Sequence, residues 1–402
     1  MNILVINGSA DLYGANRILA QVLELLSKEH NLVLLLPEEG LLSGYLEEQQ
    51  VKAKIIYEAN LPNISRSRSS IPGLLRTGVS FLGGFFRLRK IIKQYNCDFA
   101  YVNTLSCFLH LKLLNWLGIP VLLHVHEVLV QPERITAMIN KWAVKWADHI
   151  VCVSAPVYEH LQPYIPEGQG SGKMATILNG IKDIFTERTV LPVDLYCPGK
   201  IVVSLVSRIK PEKGAWFFLA AIARLPPAVA DQAVFQIIGG PAPGGEHYID
   251  QLKSSITNSR YSDKITYIPF TKEVKLLQQS SDILVVPSLM KDPFPTTILE
   301  SLSAGKPVIA TNTGGSVQSV VPGETGFLID AHDIAFFAHY LELLITNGEL
   351  RLQMGCNARR YYETHFTMEI FSREFLRYFK GVNKKRQPHG LPLSNLIEYS
   401  YD

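Results

Sequence analysis

The sequence predicts an α/β protein built from two parallel-sheet domains. Three observations carry this. The chain is 402 residues long, enough for two domains of ordinary size. Short apolar runs of strand type alternate with segments of helical period along nearly its whole length. After a stretch at 191–200 that holds Pro192, Pro198 and Gly199, the same alternation restarts at Ile201.

Taken in order, Ile3 to Ile6 reads as a first buried strand, followed by a glycine-containing turn from Asn7 to Gly14. A helix follows from Ala15 to Lys28, with Ile18, Leu19, Val22, Leu25 and Leu26 as its core face. Leu32 to Leu36 is the next strand. The turn lacks the GxGxxG spacing and the chain has no GxxxxGK[ST], so dinucleotide and P-loop readings lose their support. Gly14 is either a turn glycine or a place where backbone approaches a phosphate or sugar closely. Phe99 to Val102 and Val121 to Val125 are strands around a helix, Leu105 to Leu117, that Gly118 ends. His124, His126 and Glu127 fall at the carboxyl end of the second of these strands. Imidazoles at i and i+2 point the same way, so both could face a cleft. A metal reading of His-x-His finds no further ligands. His126 is read as a polar contact to substrate or as a structural histidine. Ile135 to Trp146 is a helix with Trp142 and Trp146 on its core side, and His149 to Val153 and Met174 to Leu178 close the half.

Residues 59–97 stand apart. They hold Arg66, Arg68, Arg76, Arg87, Arg89, Lys90 and Lys93 with no acidic residue, interleaved with Phe81, Phe85, Phe86 and several Leu and Ile. Cations beside apolar side chains suit an anionic membrane surface or an acidic or lipid-linked acceptor. A loop followed by a buried helix with a basic edge has the same pattern. Gly73, Gly78, Gly83 and Gly84 argue against one long helix.

In the second half, Ile201 to Val206 is a strand, then SRIKPEKG, then a helix from Ala215 to Ala223. Arg208 and Lys213 thus lie beyond a strand and before a helix, where an anion binds readily. Val234 to Ile238 and Ile265 to Ile268 are strands, with Gly239, Gly240, Gly244 and Gly245 in a loop at the carboxyl edge. Ile283 to Val286 is a strand, followed by a loop with Lys291 and Asp292, a helix from Thr296 to Ala304 stopped by Gly305, and a strand from Val308 to Ala310. The backbone at 295–297 is expected to offer helix N-terminal donors to an anion. Glu300 interrupts an otherwise apolar helix, so its carboxylate is solvated, paired or holding a ligand hydroxyl. A glycine loop at 311–315, a strand from Phe327 to Ile329, helices near 334–345 and 350–362, and an amphipathic helix from Phe366 to Phe379 follow.

Composition sets bounds. An apolar fraction of 47% and a charged fraction of 19% describe a globular chain, and a net charge of +3 gives no footprint for nucleic acid. Five cysteines without a CxxC point away from disulfides and zinc and suit a reducing cytosol. MNILVINGSA reads as a first strand and not a signal peptide, and no run of about 18 apolar residues predicts a spanning helix.

These motifs, in this order, resemble the retaining GT-B glycosyltransferases of family 4 (glycosyl transferases group 1), of the type that builds bacterial surface glycans. SRIKPEKG resembles the family's Arg…Lys-Gly phosphate segment, and DPFPTTILESLSAGKPVIATNTGG its Glu-x7-Glu motif with the glycine loop behind it. LYGANR, HVHE and ILNGIKD resemble its N-domain glycine loop, its histidine-bearing strand end and its Pro-Asn-Gly-Val-Asp stretch. The resemblance implies a GT-B fold of two Rossmann-like domains facing a cleft. It places an acceptor-side domain at 1–190, a linker at 191–200, a nucleotide-sugar domain at 201–362, a crossover helix at 363–382 that returns to the N-domain, and a polar tail at 383–402. It implies a retaining, nucleotide-sugar-dependent hexosyltransferase with a glycan or lipid-linked acceptor; Arg208, Lys213 and helix N-terminal amides at the leaving diphosphate would make a metal unnecessary, the cysteine usage reads as cytoplasmic, and the cationic 59–97 segment reads as peripheral contact with the inner membrane face. Its only co-substrate would be a nucleoside-diphosphate sugar, without a cofactor.

By this resemblance Arg208 and Lys213 bind the donor diphosphate, Glu300 the ribose and Asp292 the donor sugar hydroxyls. Phe294, Pro295, Thr296 and Thr297 supply backbone or hydroxyl contacts, Gly14 faces the phosphates and His126 lies beside the transferred sugar. From the basic and apolar pattern of 59–97, Arg66, Arg68, Arg87, Arg89 and Lys90 are read as the acceptor or membrane side. The chain departs from the pattern at Asp292, one methylene shorter than the usual Glu, and at Gln318, where relatives carry Glu. No carboxylate stands out as a nucleophile, with Glu127 only a distant candidate. A nucleotide-sugar epimerase of the same shape and a non-catalytic partner protein of the same fold are the alternatives.

Overall fold

The computed structural model describes residues 1–59, 71–166, 171–184, 199–242 and 244–384. Arg66 and Arg68, most of the expected linker and nearly all of the expected tail lie outside these residues.

The first half runs β1 (Asn2–Asn7), α1 (Gly14–Leu26), β2 (Asn31–Leu36), α2 (Leu41–Glu48), β3 (Ala53–Tyr57), α3 (Ile71–Tyr95), β4 (Phe99–Asn103), α4 (Phe108–Trp116), β5 (Val121–Val125), α5 (Glu133–Trp146), β6 (His149–Cys152), α6 (Ala155–Leu161) and β7 (Met174–Thr176). Its strands form one parallel sheet in the order β3-β2-β1-β4-β5-β6-β7. The second half runs β8 (Ile201–Val206), α7 (Ala215–Ile222), α8 (Pro227–Ala230), β9 (Ala233–Ile238), α9 (His247–Thr257), β10 (Ile265–Ile268), α10 (Val274–Ser280), β11 (Ile283–Val286), α11 (Thr296–Ser303), β12 (Val308–Thr311), α12 (Ser316–Ser319), β13 (Gly326–Ile329), α13 (Ile334–Thr346) and α14 (Gly348–His365). Its parallel sheet has the order β10-β9-β8-β11-β12-β13. A last helix, α15 (Met368–Lys384), follows.

Both orders reverse beside the first strand of the half. β1 has β2 on one side and β4 on the other, and β8 has β9 and β11. Loops leaving such neighbours diverge and open a crevice beyond the carboxyl ends of the strands. The loop after β1 leads into Gly14 at the start of α1, the loop after β8 holds Arg208 and Lys213, and the loop after β11 holds Asp292 to Pro295. Topology therefore gathers the motif residues at two switch points.

The strands are buried on both faces, as parallel strands covered by helices require. The register sets Val5 between Leu34 and Tyr101. α15 packs on this first sheet: Phe371, Phe375, Phe379 and Val382 share a core with Ile3, Val5, Leu34, Phe99 and Tyr101. Spacing of four places the three phenylalanines on one stripe, and each fully buried ring contributes about 1.5–3 kcal/mol of transfer energy. A second core joins the sheet's other face to Phe294, Ile298, Leu299 and Leu302 of the second half.

Two expectations are corrected. α3 is continuous through Gly73, Gly78, Gly83 and Gly84. Leu88 and Ile91 are buried in the core, and that burial offsets the roughly 1 kcal/mol that each glycine costs a helix. The loop of Gly239 to Gly245 is followed by α9, which buries Leu252 and Ile256. α14 also runs past the expected boundary at 362 to His365.

Candidate active site in the cleft between the two sheets

In the second half, Arg208 follows β8 in an extended turn. Lys213 ends a short 3-10 turn, Pro211–Lys213, immediately before α7. Gly214 between them and α7 has φ +80°, and a Cβ there would stand 1.9 Å from the Pro287 carbonyl oxygen. Only glycine lets this turn close against the end of β11. The Lys213 ammonium consequently reaches the Asp292 carboxylate in a short ion pair, with both side chains largely buried. The Asp292 backbone is fixed from behind: its carbonyl accepts from the Gly315 amide at 2.8 Å, and Gly314, at φ +57°, packs directly on it.

α11 begins at Thr296 with Pro295 as N-cap and no side-chain cap. Pro295 has no N–H, so the expectation of donors across 295–297 narrows to Thr296 and Thr297, whose amides lack intrahelical partners by position. The Phe294 ring is turned away into the core, 5.9 Å from Phe366, so only its backbone is available at the cleft. Glu300, one turn into α11, is not simply solvated. Gln278 of α10 donates to its Oε2 at 2.6 Å, and Arg17 of α1 lies 3.2 Å from its Oε1.

The facing wall comes from the first half. Asp11 Oδ1 accepts from the Tyr13 amide and from Asn16, shaping the loop before α1. A Cβ at Gly14 would meet no atom within 4 Å, so the chain itself makes no steric demand for glycine there. The Tyr13 ring lies under the Arg208 guanidinium at 4.6 Å, a cation–π contact across the cleft. Ser154 donates to the Pro293 carbonyl at 2.6 Å, and the Ala155 amide donates to Gln318 Oε1 at 2.7 Å. Gln318, the departure from the family pattern, thus links the glycine loop after β12 to the start of α6.

The two histidines separate in role. His124 is fully buried, with Nδ1 2.5 Å from the Tyr101 hydroxyl and its ring against Phe375 of α15. It does not face the cleft, contrary to the i, i+2 expectation. Its strand is buried on both faces, and only His126 lies past the strand end. The rings are 4.1 Å apart. Burial lowers the pKa of both, that of His126 to about 3, so His126 is a neutral imidazole at pH 7. Its Nε2 is buried without a protein partner. Glu127 folds back, its Oε2 accepting from the Leu105 and His126 amides at 3.1 Å. Desolvation raises its pKa to about 7, against the pull of those donors. It braces the edge of β4 and β5 through the backbone.

Among the described residues no group of three or more His, Cys, Asp or Glu is placed to hold a metal ion. Arg87 pairs with Glu58 at 3.6 Å, and Arg89 and Lys90 are exposed on α3. These lie on α3, apart in the chain from Arg208, Lys213, Asp292 and Glu300. Sequence reasoning missed Arg17, Tyr13 and Gln278 as partners. Arg17 and Tyr13 belong to the quoted LYGANR segment, but their partners are 283 and 195 residues away in sequence, and only the fold brings them together.

The chain is similar to known proteins in sequence and in fold. Residues 13–183 match the Glycosyltransferase Family 4 domain and residues 197–361 the Glycosyl transferases group 1 domain. D-inositol 3-phosphate glycosyltransferases are similar over part of the chain. The protein from Thermomonospora curvata is 31% identical over 193 residues, which is 47% of this chain and 43% of that relative. The protein from Mycobacterium sp. (strain KMS) is 32% identical over 153 residues, 38% of this chain and 34% of the relative. The match thus spans less than half the length of either relative. Similar structures include Anabaena Alr3699/HepE in complex with UDP and glucose, with a TM-score of 0.78 at 19% identity, covering 95% of this chain and 100% of that one. Sucrose-phosphate synthase from Thermosynechococcus elongatus also has a TM-score of 0.78 at 19% identity, covering 96% and 99%. At such identities the likeness is one of fold. With a family 4 domain, a group 1 domain and a terminal helix that returns to the first sheet, the chain belongs to the GT-B glycosyltransferases.

Proposed function

We propose that this protein is a retaining, metal-independent glycosyltransferase that moves a sugar from a nucleoside-diphosphate sugar to a hydroxyl of a glycan or lipid-linked acceptor. The observation that supports this is that Lys213 pairs with Asp292 beyond the strands of the second sheet, while Arg208 and Glu300 reach across to Tyr13 and Arg17 beyond β1 of the first. The UDP and UDP-glucose bound to the Anabaena neighbour support a UDP-sugar donor. In this reading the first half is the acceptor side and the second half binds the donor. The acceptor is met at the inner membrane face.

The chemistry follows from charge. As the glycosidic bond breaks, negative charge gathers on the leaving diphosphate. Arg208, Lys213 and the Thr296 and Thr297 amides stabilise it where it develops. Glu300 accepts from ribose hydroxyls, and Asp292 from hydroxyls of the sugar. Neutral His126 presents a buried nitrogen to the sugar without adding charge beside it. The acceptor hydroxyl attacks from the face the diphosphate leaves, and a phosphate oxygen takes its proton, so configuration is retained. Closure of the cleft excludes water and limits hydrolysis of the donor.

The test is release of nucleoside diphosphate from a panel of UDP-, GDP-, dTDP- and ADP-sugars, with and without acceptor, beside Arg208→Ala. Release from one donor, reduced about 10²–10³-fold in the variant, supports the reading. Absence of both binding and release across the panel would overturn it.

A further inference from the structure

The charges assigned to the donor site favour a diphosphate only when the first half is counted. In the second half, Arg208 and Lys213 are balanced one for one by Asp292 and Glu300. Those four side chains alone are a neutral set where an anion has to bind. Arg17 of α1 makes the set positive, and its place in the fold is specific. The Arg17 amide donates to the Tyr13 carbonyl at 2.9 Å, so the two residues stand one helical turn apart. The Tyr13 ring lies under the Arg208 guanidinium, and the Arg17 guanidinium lies at Glu300. Arg17 is thus set between the cation of the diphosphate site and the carboxylate of the ribose site. The two partners of Glu300 differ in how firmly they are held. Gln278 is fully buried and donates to Oε2 at 2.6 Å. The Arg17 side chain is 46% exposed and lies 3.2 Å from Oε1. Its Nε donates to the Leu12 carbonyl at 3.2 Å, which tethers it to the loop before α1. Oε1 is therefore the oxygen whose partner can leave.

We propose that Arg17 is a donor-binding residue supplied by the first half: a ribose hydroxyl replaces it on Glu300 Oε1, and the freed guanidinium turns to the diphosphate beside Arg208. The exchange leaves neither charge without a partner. Glu300 trades a guanidinium for a hydroxyl donor. Arg17 trades a carboxylate for phosphate oxygens, which a guanidinium binds with the same forked geometry. Recognition of the ribose and delivery of the cation are thereby linked, because a ligand needs both a ribose and a diphosphate to satisfy Glu300 and Arg17 together. When the glycosidic bond breaks, the same guanidinium meets the negative charge that grows on the leaving diphosphate. The inference deepens the nucleotide-sugar reading of this site and rests on it, and the experiment reads the two separately.

The experiment is titration of the full chain with uridine and with UDP, in the wild type, Arg17→Ala and Arg17→Lys. Calorimetry follows UDP, and NMR line shifts follow the weaker uridine. If the wild type prefers another base of the donor panel, the nucleoside and diphosphate of that base take the place of this pair. Arg17→Ala is expected to bind uridine as the wild type does or up to about fivefold more tightly, because Glu300 loses a competing partner. It is expected to bind UDP about 10–100-fold more weakly, the worth of hydrogen bonds to a charged group. Arg17→Lys keeps the charge and is expected to recover part of that loss. Matching melting curves check that the variants fold, and Arg17→Gln carries the same comparison if Arg17→Ala does not. Equal weakening of both ligands would make Arg17 a structural residue and overturn the proposal. Equal tightening of both would make it a mere competitor for Glu300, and no change in either would remove it from the site; each overturns the proposal while leaving the transferase reading in place. A wild type that binds no nucleoside diphosphate of the panel would overturn that reading, and this inference with it.

Discussion

The Arg17 guanidinium lies 3.2 Å from the Glu300 carboxylate, so the helix after the first glycine loop reaches across the cleft to the helix of the donor motif. The Arg17 side chain is 46% exposed and Glu300 only 14%. The pair is therefore well placed to be exchanged. A hydroxyl pair arriving at Glu300 can displace a solvent-facing guanidinium at little cost, because exposed pairs are worth about 0–1 kcal/mol.

This sets the first prediction. Arg17→Ala changes unfolding free energy by less than about 1 kcal/mol. Glu300→Ala weakens nucleotide binding by about tenfold or more, the worth of hydrogen bonds to a charged group. Calorimetric titration with UDP beside urea unfolding separates the two effects. Equal UDP affinity in Glu300→Ala and wild type would remove Glu300 from the nucleotide site.

Arg359 on α14 makes paired hydrogen bonds to Asp183 at 2.7 and 2.5 Å and one to the Ser303 carbonyl at 2.6 Å. It ties the end of the first half to α11. The pair is partly solvent-screened, so Arg359→Ala is expected to cost about 1–3 kcal/mol in urea unfolding. A cost near zero would mean that this ion pair adds nothing to the hold between the halves.

Glu127 gives a pH signature. Its folded pKa of about 7 stands above the ordinary carboxyl value of 4.5. Between these values the folded state holds a proton that the unfolded state has lost, so Glu127 makes stability fall as pH rises. His126 acts in the opposite sense: its folded pKa of about 3 against 6.5 makes stability rise with pH across that window. Glu127→Gln keeps an oxygen for the Leu105 and His126 amides but does not ionise. Its stability relative to wild type is expected to improve between pH 4.5 and 7, by at most about 3 kcal/mol. A difference that stays constant over this range would show that Glu127 does not titrate there.

At Gly314 a Cβ would stand 2.1 Å from the Asp292 carbonyl oxygen, at a φ of +57°. Gly314→Ala is expected to displace the Asp292 loop, costing about 1–3 kcal/mol of stability and most of the activity. A variant with wild-type kinetics would show that the loop position is not needed.

Much of this was legible in the sequence because strand and helix periods in an α/β chain are strong local signals. The order of β8, SRIKPEKG, β11 and the Asp292 loop was readable, and with it the gathering of Lys213 and Asp292 at one sheet edge. The cross-cleft partners were not. Tyr13 beneath Arg208 and Arg17 beside Glu300 depend on how two sheets face each other, and no local period encodes that. His124 misled because alternation fixes the side on which a residue points but not its depth. α3 misled because glycine propensity was weighed without the buried Leu88 and Ile91 that hold the helix down.

The most direct measurement is proton NMR of the anomeric signal during turnover of the active donor with acceptor. The donor's anomeric signal is expected to be replaced by one on the acceptor with the same configuration, and Arg208→Ala is expected to abolish the exchange on the same time scale. An inverted product, or isomerisation of the donor that needs no acceptor, would contradict it.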